Sequence, residues 1–177
     1  EIEGEDVVLL ALARESLLET HAAGLERAGG ALDAFTPNAI ALYNAFLRFG
    51  AVQDETVLIA NVGWDNTDVV IARGPDLIFA RNLSGGSRLF EEAIQQRLNV
   101  SAAKACELKE RLVDLTPGAR FQETLAEHAT RASQAAAGQL LSLLQSTVLF
   151  CKSQVKITGL KQERALLGGG GAALRGL

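Results

Sequence analysis

Hydrophobic and polar positions recur along this chain with two periods, and the switches between them mark out its elements. DVVLLALA at 6–13 is a short apolar run and predicts a buried strand. From Arg14 to Ala28 the apolar residues fall at 17, 18, 22, 25 and 28, a helical spacing that stops at Gly29-Gly30. ALDAF at 31–35 predicts another strand. Thr36 then stands as a cap and Pro37 at the first helical position, with the helix running to Phe49-Gly50. Strand–helix–strand–helix is the order of an α/β layer.

Three strands are predicted next, at 56–62, 67–73 and 77–82, with polar links short enough to make an antiparallel meander. Gly85-Gly86 breaks the chain. A helix starts near Ser87, with Glu91 and Glu92 early in it to suit the helix dipole and Leu89, Phe90, Ala93, Ile94 and Leu98 on one face. Ser101 caps a further helix through Leu112, and Thr116-Pro117-Gly118 is a breaker. A long helix follows from about Phe121 to Ser153, with a stripe of Leu125, Ala129, Ala132, Ala136, Leu140, Leu143 and Thr147. It spans roughly 45–50 Å at 1.5 Å per residue. It either backs a sheet or forms a coiled coil, and its second half has few of the flanking charges a coil needs. RALLGGGGAALRGL at 164–177 reads as a strand, a glycine loop and the start of a helix.

Composition narrows the function classes. The chain has 177 residues, 48% of them hydrophobic, enough to bury a core. Net charge is −4 and no basic stripe occurs, which excludes an electrostatic nucleic-acid footprint. Cys106 and Cys151 are far apart without metal spacing and read as buried, reduced thiols; His21 and His128 lack the company of a zinc site. LLSLLQSTVLFC at 140–151 is shorter than the roughly 20 residues a membrane span needs. The chain begins at Glu1 and contains no methionine, so a piece of a longer protein is expected.

Two stretches hold candidate chemistry. In VLIANVGWDNTDVVIAR at 57–73, Gly63 can take positive φ, while Asn61, Asp65, Asn66 and Thr67 crowd the hairpin tip. Backbone amides there can nest a phosphate, with the Thr67 hydroxyl as a donor; a self-satisfied exposed hairpin is the alternative. Gly168–Gly171, between a strand and a helix start, offers bare amides to an anion or a flat ligand, or is a plain turn. It is neither a P-loop nor a dinucleotide fingerprint. Ser101-Ala102-Ala103-Lys104 matches S-x-x-K, but no SDN or KTG accompanies it and the serine serves as a helix cap.

Taken in order, these features resemble the second lobe of actin-like ATPases (ribonuclease H-like), an α/β fold whose mixed sheet contains an antiparallel meander flanked by helices. NLSGGSRLFEEAIQQRL at 82–98, the segment at 8–46, CKSQ at 151–154 and GGGGAALRGL at 168–177 are each similar to stretches of the type IV pilus assembly PilM family. The related cell-division protein FtsA and secretion protein GspL share the architecture. The resemblance implies that residues 1–53 are a remnant of the first lobe and 54–177 a second lobe truncated at its C-terminus.

It also implies a site. The phosphate hairpin of active relatives reads DxGxxxT; here Gly63 and Thr67 match, but Asn61 stands where the Mg²⁺-holding Asp belongs. Lys109 matches a ribose-side position, whereas the glutamate expected three residues earlier is Cys106. Gly169, Gly170 and Gly171 match the adenosine loop. The implied cofactor is ATP with Mg²⁺, held weakly or lost. The implied partner is a PilN-like cytoplasmic tail in an inner-membrane complex, which places the protein in the cytoplasm at the inner face of that membrane. A scaffold of this kind is the expected function. The competing readings are an active ATPase or kinase of the same superfold and a helical oligomerisation domain built on the long Ala/Leu helix.

Overall fold

The computed structural model describes residues 10–155 and 160–177. Five helices are described: α1 (Glu15–Arg27), α2 (Asn38–Phe49), α3 (Arg88–Leu98), α4 (Ala102–Leu112) and α5 (Thr124–Val155). Four strands, β1 (Thr56–Val62), β2 (Asn66–Arg73), β3 (Asp76–Ser84) and β4 (Arg164–Gly168), are followed by a 3₁₀ turn at Gly170–Ala173. The strands form one mixed sheet of order β3-β2-β1-β4. The meander β1–β2–β3 is antiparallel, and β4 lies parallel to β1. The helical-domain reading fails on this sheet.

Alternation decides which side chains face which layer. Val57, Ile59, Val70 and Ala72 point to one face, where Phe46 of α2 packs on them. Leu58, Ala60, Val69 and Ile71 point to the other, where Leu144 and Cys151 of α5 cover them. A bulge in β3 breaks the rule: Ile71 pairs with Phe79 and Ala72 with Leu77, so Ile78 is the extra residue. The bulge lets the successive residues Ile78 and Phe79 both reach the α5 side.

At 32 residues, α5 serves two neighbours in turn. Its first half packs Ala129, Ala132 and Ala136 against α3 and α4; its second half lies on the sheet through Leu144 and Cys151. Small side chains in the first half allow the helices to approach closely. The predicted stripe is buried at 129, 132, 136, 140 and 147, but Leu125 is exposed. Arg164 at the start of β4 pairs with Glu55 at 2.8 Å and donates to the Gly50 and Ala51 carbonyls, fixing the end of α2 beside the sheet.

Three local expectations are corrected. Residues 10–13 form no strand (the rest of the 6–13 run lies outside the described residues), and neither do residues 31–35. A strand exists only where an edge accepts it, and the described residues bring no partner to these runs. Thr36 does not cap α2: Pro37 is the N-cap residue and the helix starts at Asn38. Ser101 does cap α4, accepting from Lys104 N–H at 3.3 Å.

Candidate functional site

β1 and β4 are parallel, so the hairpin following β1 and the glycine turn following β4 emerge at the same end of the sheet. Asn61 is in register with Gly168. Gly169 has φ 83° and ψ 172°, and a Cβ there would lie 2.5 Å from the Val62 carbonyl oxygen and 2.6 Å from Asn61 Oδ1. Both its backbone angles and its closeness to β1 require glycine. Gly171 is buried against Val62, whereas Gly170 faces open space. A cleft of about 370 Å³ opens beside this turn, walled by Ser87 and Phe90 of the α3 region, Lys109 of α4, Gly170, Gly171 and Arg175. Asn61, Lys109 and Gly169–Gly171, separated in sequence, are thus gathered at one end of the sheet.

The hairpin tip departs from expectation. Gly63 does not take positive φ. It closes the turn by donating to the Asn66 carbonyl at 2.9 Å, and a Cβ on it would sit 2.9 Å from that oxygen. The tip carbonyls of Gly63, Trp64 and Asp65 accept from the N–H groups of Ser87, Arg88 and Gly85 at 2.8, 2.9 and 2.8 Å. The leading amides of α3, otherwise an anion site, are therefore bound to the hairpin. This contact accounts for the glycine at 86: a Cβ there would lie 2.5 Å from the Gly63 oxygen. Thr67 is fully buried, and its hydroxyl donates to the Gly85 carbonyl at 2.7 Å. Its single proton locks the hairpin to α3 in place of the expected phosphate contact.

Three residues of the site were not singled out for it from sequence. Glu91, 7% exposed, takes Lys109 Nζ on one oxygen at 2.5 Å and Trp64 Nε1 on the other at 3.2 Å. Arg88 stacks over the Trp64 ring at 5.3 Å and pairs with Asp65 at 2.8 Å. Asp68 is opposite Asn61 across β1 and β2, so the two side chains share a face; Asn82, next in the same row, donates to Asp68 at 2.8 Å. The only sequence signal for Asp68 was its place directly after Thr67.

The donor set tests the implied groups. Among the described residues no three His, Cys, Asp or Glu side chains cluster to hold a metal. Asn61 supplies no carboxylate and the one on its face, Asp68, is engaged by Asn82, a poor set for Mg²⁺, which is usually held by one or two carboxylates with phosphates and waters. The cleft leaves room for a flat ring at the open backbone of Gly170, and Lys109 is among its wall residues. Burial raises the Cys106 thiol, and the Glu110 and Glu91 charges raise it further; burial pushes Cys151 up to about 11. Neither is an activated nucleophile.

Comparison with solved structures then decides the fold. Over 93% of its length the chain superposes on 44% of a chain from a PilM–PilN type IV pilus biogenesis complex, with TM-score 0.72 and 24% identity. Over 92% it superposes on 56% of MreB5 of Spiroplasma citri bound to ADP, at TM-score 0.64 and 16% identity. An archaeal actin homolog in complex with ADP matches 78% of the chain at TM-score 0.54 and 15% identity, over 46% of its own length. This is an actin-like fold. The chain spans about half of each of these actin-like neighbours or less. No family model matches it, and no curated protein matches it in sequence. Among the described residues no helix is long and apolar enough to cross a membrane.

Proposed function

We propose that this chain is part of an actin-fold assembly scaffold of the PilM kind, acting at the cytoplasmic face of an inner membrane in a pilus or related secretion platform. Residues 54–177 belong to its second lobe, and residues 1–53 lead into it from the first. A PilN-like cytoplasmic tail is its partner, and the protein reaches the membrane through such partners. The likeness to a chain of the PilM–PilN complex over 93% of this chain is the observation that carries the reading. The nucleotide site is degenerate. Asn61 leaves the hairpin without its acid, and the amides of Gly63, Gly85, Ser87 and Arg88 are satisfied within the protein. ADP in the MreB5 and archaeal neighbours, and AMPPNP in another MreB5 structure, support nucleotide binding in the cleft. Adenosine recognition by Gly169–Gly171 and Lys109 survives, while Mg²⁺-dependent turnover is lost.

Calorimetry with Mg-ADP and Mg-ATP, alongside a phosphate-release assay, tests this. Binding without turnover is expected. Turnover that depends on Mg²⁺ would favour the active ATPase reading. A type IV pilus PilN cytoplasmic tail that fails to bind a longer protein containing both lobes would remove the partner from the proposal.

A further inference from the structure

Glu91 joins three elements through one carboxylate. It projects from α3, holds the ammonium of Lys109 on α4, and accepts the indole N–H of Trp64 on the hairpin tip. Lys109 and Glu91 are both largely shielded, with side chains 13% and 9% exposed. Cys106 lies three residues before Lys109, on the same helix face. The position where the family resemblance expects an acid is therefore uncharged, and the acid that reaches Lys109 comes from a different helix.

We infer that Glu91 is the positioning residue of the cleft: it fixes the side chain of Lys109, a residue of the cleft wall, and through its second oxygen it couples occupancy of the cleft to Trp64. The inference rests on the nucleotide-cleft reading above. A lysine stem has several rotatable bonds, and without a partner its buried ammonium pays a desolvation cost. One carboxylate shared by two donors makes those donors interdependent, because charge drawn toward one weakens the acceptor offered to the other. A ligand that pulls on Lys109 thus changes the hydrogen bond at the indole. Arg88, itself paired with Asp65, stacks over the same ring at 5.3 Å.

Trp64 is the single tryptophan, so its indole N–H resonance reports this bond without ambiguity. Mg-ADP is titrated into the full 177-residue chain, with calorimetry reading affinity and NMR reading the indole. In the wild type the indole resonance should move along the calorimetric saturation curve. Glu91→Gln should bind about tenfold more weakly and lose the indole response. Adding Cys106→Glu to that variant should restore affinity to within about threefold, since tenfold is only about 1.4 kcal/mol, while the indole stays unresponsive. A carboxylate supplied from α4 does not repair a packing defect in α3, so rescue separates positioning from bulk structure. Wild-type binding with an unmoved indole overturns the inference and requires no variant to fold. A double variant as weak as Glu91→Gln also overturns it. If the wild type shows neither heat nor shift, the nucleotide reading itself falls, and the positioning role falls with it.

Discussion

Gly169 and Gly170 are adjacent and chemically identical, yet the fold constrains them in opposite ways. Gly169 combines a positive φ with a backbone approach to Val62 and Asn61 that leaves no room for a methyl group. Gly170 has nothing within 4 Å of its Cβ direction. Gly169→Ala should therefore destabilise the protein by about 2–4 kcal/mol, from left-handed strain plus the displacement of β1. Gly170→Ala should stay within about 0.5 kcal/mol of wild type. Urea unfolding of both variants checks the pair; equal losses would show that the turn is not held against β1. In the sequence these positions are members of one four-glycine run, and nothing local distinguishes them. The close approach that separates them is made by a strand more than 100 residues earlier.

At the scale of elements, α1 and α2 differ in what they touch. No residue of α1 is buried, and Leu17 is half exposed. α2 inserts Phe46, 4% exposed, into the face formed by Val57, Ile59, Val70 and Ala72. Tyr43 of the same helix donates its hydroxyl to the Pro75 carbonyl. Phe46→Ala should cost about 3–5 kcal/mol by opening a cavity against the sheet. Leu17→Gln should change stability by less than about 0.5 kcal/mol. Thermal or chemical melts of the two variants measure the contrast, and a large loss for Leu17→Gln would mean that α1 is packed. The helical spacing that predicted α1 and the cap-and-proline signal that predicted α2 did not reveal whether either helix had cover. The meander was more legible, because apolar runs joined by short polar links leave neighbouring antiparallel strands as the simplest arrangement. The runs at 6–13 and 31–35 misled for the converse reason: apolar content suits a strand, but hydrogen-bonded pairing is decided elsewhere in the chain. Glu91 was legible only as a helix-dipole acid, since Lys109 and Trp64 lie 18 and 27 residues away from it.

At the scale of the whole molecule, stability should be graded outward from the two central strands. β1 is hydrogen-bonded to β2 and β4, and β2 to β1 and β3, so each has a partner on both sides. Residues 57–60 and 69–72 are nearly all inaccessible, covered by α2 on one face and α5 on the other. Among the described residues β4 is bonded on one side, and Leu167 on it is 44% exposed. The cleft lies beside the more weakly held edge, because it is walled by α3, α4 and the glycine turn that continues β4. Amide hydrogen exchange should resolve the gradient. β1 and β2 should exchange only through global unfolding, at least about 10³-fold more slowly than α1, which opens locally. The 170–173 turn should exchange at intermediate rates, set by the single-sided pairing of β4 to which it is attached. Mg-ADP should slow exchange in that turn and in α4 around Lys109 while leaving α1 unchanged, since ligand bound only to the native cleft protects what it touches. Uniform slowing across the chain would instead mean that the elements open together, and the cleft would then be as rigid as the sheet it rests on.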